Sequence, residues 1–293
     1  MAEASRKQKY SQISNWRGLV FAILALAGFS FAQAEAENFR ARGGGDTQQS
    51  GATTISDVQA EIEFGQSIAA RILGRYPMVD DSSLSGYVNL VGNAVVLHAG
   101  RPELTFRFAI LETDNVNAYA APGGYVFVTR GAIGLMRDEA ELAGVLAHEV
   151  AHVTRKHIVN ALNIRGSDSG TQAGLARFLS GAGDAGRVAF SQAVNKAVGI
   201  LFEKGLAKED ELDADNTGTV YLATTGYDPT ALKRYINRIK ALESKRLSVM
   251  NSTHPSFQDR LKALSMQLAS LGIDSGKFPT VTSRFNQYVK NNQ

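Results

Sequence analysis

The chain of 293 residues contains no cysteine. That excludes disulfides, thiolate metal ligands, a cysteine nucleophile and a lipid carried on a cysteine. An excess of one charge sign is also missing from most of the chain. Of 31 basic and 28 acidic residues, four basic ones (Arg6, Lys7, Lys9, Arg17) and one acidic one (Glu3) fall within residues 1–34, leaving 27 of each elsewhere. A neutral body without a Lys/Arg run has no general electrostatic hold on nucleic acid, so no nucleic-acid partner is expected. After residue 34 there is no apolar run approaching the roughly 20 residues that cross a bilayer. Nor is there an internal repeat of the kind that builds a helical solenoid.

What is present begins with an address. Arg6 to Arg17 form a positive segment, Leu19 to Ala32 an apolar run of 14 residues, and Ala32-Gln33-Ala34 a small-x-small cleavage pattern. The layout predicts a signal peptide over residues 1–34 and export to a bacterial periplasm. A membrane tether is the alternative if the leader stays uncleaved. Residues 35–56, with Gly43-Gly44-Gly45 and many Gln, Ser and Thr, read as a flexible linker. Residues 57–272 read as the folded domain and 273–293 as a C-terminal tail. With 44% hydrophobic residues, the chain can bury a sizeable core.

Apolar residues at helical spacing predict an amphipathic helix from Val58 to Tyr76 and another from Leu84 to Leu97. Between Leu104 and Thr129 the period drops to two, with Pro122-Gly123-Gly124 as a turn, which predicts a small antiparallel sheet. Asp138 with Glu141 is a capping-box signal for a helix running to about Ile158. Residues 166–186 hold six glycines and read as a loop or broken helix, a candidate lid. Helices follow at Val188–Phe202, Glu209–Thr225, after Asp228-Pro229, and from Ser256 to about Gly272. Many helices with one small sheet make an α+β fold.

The chemistry sits at His148-Glu149-x-x-His152. Residues four apart share a helix face, so both imidazoles can reach one ion, and neutral imidazoles suit zinc. Glu149 projects differently and can take a proton from water polarised at the open side of the metal, which is the chemistry of peptide hydrolysis. With this chain's composition, chance supplies such a pattern roughly 0.004 times per chain. A catalytic zinc needs a third protein ligand. His157, five residues past His152, points elsewhere on a continuous helix and reads as a solvated helix-end residue. His98, near a helix end before Gly100, reads as structural. Glu211 and Asp215 lie four apart in an acidic stretch. One can bind the metal while the other accepts the outer ring N–H of a ligand histidine. An exposed acidic helix start is the equal alternative on spacing alone.

His148-Glu149-Val150-Ala151-His152 followed by Glu211-x-x-x-Asp215 resembles metallopeptidase family forty-eight, which includes HtpX-like, CAAX-prenyl-protease-like, OMA-like and BepA-like enzymes. Asn117-Ala118-Tyr119-Ala120-Ala121-Pro122-Gly123-Gly124, Val126 to Gly131, Gly218, Gly226-Tyr227-Asp228-Pro229, and Thr253-His254-Pro255 with Arg260 carry the same resemblance. It covers about residues 57–271. It implies a mainly helical zinc endopeptidase domain of the gluzincin type, with the sheet beside the active-site helix and one Zn2+ per chain. His148, His152 and Glu211 are then the ligands and Glu149 the general base. Asp215 matches the family acid counted as catalytic, and an orienting role suits its chemistry. Asn117, Ala118 and Tyr119 match a sheet edge that holds extended peptide by main-chain hydrogen bonds. His254 matches a histidine that blocks the open metal site in BepA-like proteins; hydrogen bonding to a developing oxyanion is its alternative.

Three departures stand out. Asp213 replaces a Glu common in the family, the membrane branches' long apolar spans do not occur after residue 34, and there is no C-terminal helical repeat. The expected function is a zinc endopeptidase cutting unfolded or misassembled proteins of the bacterial cell envelope. Peripheral membrane association fits that setting. The reading from another class is a periplasmic chaperone or assembly factor that holds clients on the edge strand while the zinc site is shut.

Overall fold

The computed structural model describes residues 55–162, 184–241, 247–254, 256–272 and 275–290. The leader, the linker through residue 54 and most of the glycine-rich segment 166–186 lie outside these residues. The chain order is α1 (Ile55–Arg75), α2 (Ser82–Val96), β1 (Arg107–Leu111), β2 (Ala118–Ala121), β3 (Tyr125–Thr129), α3 (Arg130–Ile133), α4 (Glu139–Thr154) and α5 (His157–Ala161). Then come α6 (Asp184–Gly199), α7 (Lys208–Thr225), α8 (Ala231–Lys240), α9 (Ser248–Thr253), α10 (Phe257–Ser270) and α11 (Thr282–Phe285). The α+β, mainly helical layout holds.

The sheet differs from the antiparallel expectation. Its order is β1-β3-β2, with β2 antiparallel to β3 but β1 parallel to β3. Pro122–Gly124 closes a hairpin between β2 and β3, and β3 inserts between its hairpin partner and β1. A strand so inserted runs with β1, two steps back in sequence. Alternate residues feed two cores. Ala118, Ala120, Val126 and Val128 join one cluster, while Tyr119, Ala121 and Phe127 join the other, with α1 and α6.

The turn is pressed onto α1. A Cβ on Gly65 would fall 1.7 Å from the Pro122 carbonyl oxygen, and Gly123, at φ 75°, has Ile62 Cα in the place of a side chain. The turn's glycines therefore serve a close helix approach as well as a reversal of the chain. Glu61 fixes the contact by accepting from the Gly123 N–H and from Arg101.

Helix α4 is buried along all sixteen residues, which explains its alanines and Gly144. Its start is held by charge. Asp138 caps the Glu141 N–H at 3.0 Å, and Arg234 and Arg238 reach Asp138 and Glu141. Buried Glu139 accepts from Tyr87, Tyr227 and Arg284. Acids in a first turn also favour the helix dipole. Arg284 lies in the C-terminal segment, read from the sequence as a tail, and the described part of that segment packs on the domain. In that segment Phe285 and Val289 are buried, Tyr288 stacks on Tyr87 at 4.5 Å, and the Ala140 N–H donates to the Thr280 carbonyl. Its apolar residues complete the core around α2 and α4.

Candidate metal centre

Helices α4 and α7 lie side by side. Gly218 permits the approach, because a Cβ there would sit 3.0 Å from the His148 backbone nitrogen. That closeness brings Glu211 and Asp215 under the two imidazoles of α4. His148 Nε2 and His152 Nε2 are 3.1 Å apart, and Glu211 oxygens lie 3.6 and 3.5 Å from them. Ligands about 2.0–2.1 Å from a tetrahedral ion are separated by about 3.3–3.5 Å, so this donor set fits a zinc-sized cation. His254 approaches from the end of α9, with Nδ1 2.5 Å from Glu211 Oε2. Ligand atoms of His148, Glu211 and His254 all lie within 4.8 Å of one another.

Asp215 is fully buried and committed. It accepts from His148 Nδ1 at 2.9 Å and from Arg260 Nε and Nη2 at 2.9 and 2.6 Å. Both oxygens are thus occupied, which suits holding His148 rather than meeting a substrate. Arg260 reaches this acid on α7, not one on its own helix.

Charges follow the geometry. Burial and Arg260 oppose a proton on His148, yet Asp215 and Glu211 raise it to about 9; carboxylates that favour a proton there favour a cation equally. Burial holds His152 well below the usual imidazole range, leaving it neutral as a ligand must be. Burial would raise Glu211, but its interactions with His254 and His152 and the hydrogen bonds from His148 and His254 hold it well below the usual carboxylate range. Asp215, against its burial, is lowered to about 2 by Arg260 and His148. Glu149 moves the other way, raised chiefly by burial with His148, His254 and Arg260 pulling back. Among the described residues it makes no hydrogen bond or ion pair. It faces two small cavities, about 30 Å³ on the His152 side and about 20 Å³ on the His148 side, with His254 between them. Each has room for a water molecule or so, not for a peptide.

Asn117, Ala118 and Tyr119 belong to this wall. Strand β2 is the edge of the sheet, and Ala118 lines both cavities. The Asn117 backbone is tied to Thr129. The other side of the first cavity is Ile200, Leu201, Gly205 and Leu206 with Thr253.

Two further histidines lie outside the candidate donor set. His98 lies past the end of α2, half-buried. His157 is not solvated, contrary to the sequence reading. It is 4% exposed, with Nδ1 2.9 Å from His152 Nδ1 and Nε2 3.1 Å from Asp213 Oδ2. The helix does not run on to Ile158. It ends at Thr154, Lys156 takes φ 58° and ψ 33°, and the reversed turn swings His157 back against His152. Asp213, Arg155 and His157 are the residues the sequence reading missed.

Residues 82–267 match the peptidase family M48. The chain is 29% identical over 210 residues to a putative beta-barrel assembly-enhancing protease of Vibrio cholerae, covering 70% of this chain and 43% of that protein. It is 28% identical over 228 residues to the beta-barrel assembly-enhancing protease of Escherichia coli K12, covering 74% and 45%. Over 180 residues it is 27% identical to the mitochondrial metalloendopeptidase OMA1 of Schizosaccharomyces pombe, covering 61% and 51%. The chain thus spans about half the length of these relatives. The family match covers more than half of this chain and takes in every residue from His148 to Arg260, so the chain belongs to peptidase family M48.

Proposed function

We propose that this chain is a zinc-dependent endopeptidase. The observation that carries the reading is the meeting of two imidazole Nε2 atoms and the Glu211 carboxylate beside an uncommitted, buried Glu149. His148, His152 and Glu211 would hold one zinc ion. Bound there, zinc supplies Lewis acidity to the scissile carbonyl and to the attacking water.

The remaining work falls to the chain. Glu149, with its proton affinity raised, accepts the proton of the attacking water and hands it to the departing amine. Asp215 keeps the His148 hydrogen on Nδ1, so that Nε2 presents a lone pair. The outer edge of β2 offers main-chain donors and acceptors to an extended peptide, which gives affinity with little demand on sequence. An exported enzyme of this kind, with a leader over residues 1–34, would cut unfolded or misassembled envelope proteins. The names of the bacterial relatives, which refer to β-barrel assembly, support that setting. Among the described residues no helix is long and apolar enough to cross a membrane.

His254 on Glu211, with so little free volume around Glu149, supports a resting site that is shut. The same contact favours the second reading, a holdase that uses the β2 edge while the zinc site stays closed. Casein cleavage by purified protein separates them. Glu149→Gln is expected to lower the rate 10²–10⁴-fold while zinc stays at about one per chain. His254→Ala is expected to raise the rate. Wild-type cleavage by Glu149→Gln, or no zinc bound after loading, would sink the peptidase reading. Client protection unchanged in Glu149→Gln with no cleavage by any form would favour the holdase.

A further inference from the structure

We infer that His157 and Asp213 form a positioning relay that fixes the tautomer and ring direction of His152, an inference that rests on the metal reading above. His152 turns Nε2 toward His148 and Glu211, so as a ligand it must carry its hydrogen on Nδ1. The group facing that hydrogen is the imidazole of His157, with its Nδ1 at 2.9 Å. Two ring nitrogens at this distance share one hydrogen. If His152 donates, His157 Nδ1 is bare and its own hydrogen sits on Nε2. That hydrogen then points at Asp213 Oδ2, 3.1 Å away, an oxygen that can only accept. The opposite polarity would set a bare His157 nitrogen against the carboxylate. For a neutral His157 only the first arrangement satisfies every atom.

Asp213 is held in turn. Arg155 Nε meets its Oδ2 and Arg155 Nη2 its Oδ1, each at 2.8 Å, a two-point clamp that fixes the carboxylate plane. Asp210 Oδ1 lies 4.0 Å from His157 Nε2, outside hydrogen-bond range. The chain Arg155–Asp213–His157–His152 therefore has a direction, and it ends at a candidate metal ligand. Ligand histidines commonly give their outer N–H to a carboxylate, a carbonyl or water. Here an imidazole is inserted between histidine and acid. The left-handed Lys156, just after the helix that carries His152, is what delivers it.

The test uses the full chain and two readouts that a purely structural role would not move together. Zinc affinity is measured by chelator competition for wild type, His157→Phe, His157→Gln and Asp213→Asn. His157→Phe is expected to bind zinc 10–100-fold more weakly. His157→Gln is expected to recover most of the loss, because its amide oxygen can accept from His152 while its NH2 donates to Asp213. Asp213→Asn, at a half-buried site, is expected to weaken binding roughly tenfold with little change in thermal stability. Folded His157→Phe and Asp213→Asn with wild-type affinity would overturn the relay while leaving the metal reading intact. Should His157→Phe not fold, the result for Asp213→Asn decides. The second readout needs no zinc: imidazole ¹⁵N correlation spectra of the metal-free wild type should show the hydrogen of His152 on Nδ1. Finding it on Nε2 would overturn the relay even if zinc binding itself failed.

Discussion

The two imidazoles at the centre are backed by chains of the same chemical kind in different surroundings. Behind His148 stand Asp215 and Arg260, with side chains 0 and 3% exposed. Behind His152 stand His157, Asp213 and Arg155, and the last two are 35 and 34% exposed. In both, a guanidinium clamps a carboxylate through two bonds. The inner pair has surrendered nearly all its water, so each partner depends on the other. The outer pair keeps solvent as a substitute. The inner arm is therefore part of the fold's stability, whereas the outer arm can orient His152 without holding the domain together.

The largest effect should come from Arg260. Arg260→Leu strands Asp215 as a buried charge without its partner, and removal of one member of such a pair costs about 3–5 kcal/mol. For a domain of this size that is a fall in Tm of roughly 6–20 °C. Arg155→Leu should cost below about 1 kcal/mol in the same thermal scan. Equal losses would break the distinction between the arms.

Acid sharpens it next. Asp215 is lowered from 3.8 to about 2 in the folded protein. Its contribution is fully present above pH 3.8 and is lost as pH falls toward about 2, because between those values the unfolded chain takes up the proton more readily than the folded one. The amount is about 2 kcal/mol. Asp213 is also held low, by His157 and Arg155 against its partial burial, but solvent screens much of that gain. Urea unfolding between pH 5 and 2.5 should therefore lose most of this pH dependence in Asp215→Asn and little of it in Asp213→Asn.

This contrast also marks how far the sequence could be read. Helix α4 was legible because its cap, its apolar spacing and its two histidines agree. Glu211 and Asp215 were legible as a pair because four residues make one helical turn, and the structure does set them on a common face beneath His148. Asp213, between them, reads as a surface acid on the same logic. His157 was misplaced because helical periodicity was carried past Thr154. Nothing in Arg155-Lys156 announces a break, since a lysine at positive φ is uncommon and has no sequence signature. Strand β2 is expected as a sheet edge from the family resemblance and not from its own periodicity. Ala118-Tyr119-Ala120-Ala121 is buried on both faces and so lacks alternation. The parallel pairing of β1 with β3 depends on strand order, which local pattern does not encode. The same holds for Arg284 with Glu139, 145 residues apart.

Salt gives the smallest and most discriminating change. At 1 M ionic strength the screening length is about 3 Å, and solvent-exposed pairs lose most of their attraction while buried pairs keep theirs. The cost of Arg155→Leu, already below about 1 kcal/mol, should shrink toward zero when unfolding is repeated in 1 M sodium chloride. The cost of Arg260→Leu should hold, because the ions cannot enter between two side chains that expose 3% or less of their surface. If the outer penalty survived salt intact, Asp213 and Arg155 would have to be more deeply enclosed than a third-exposed pair can be. The relay to His152 would then belong to the core rather than to its rim.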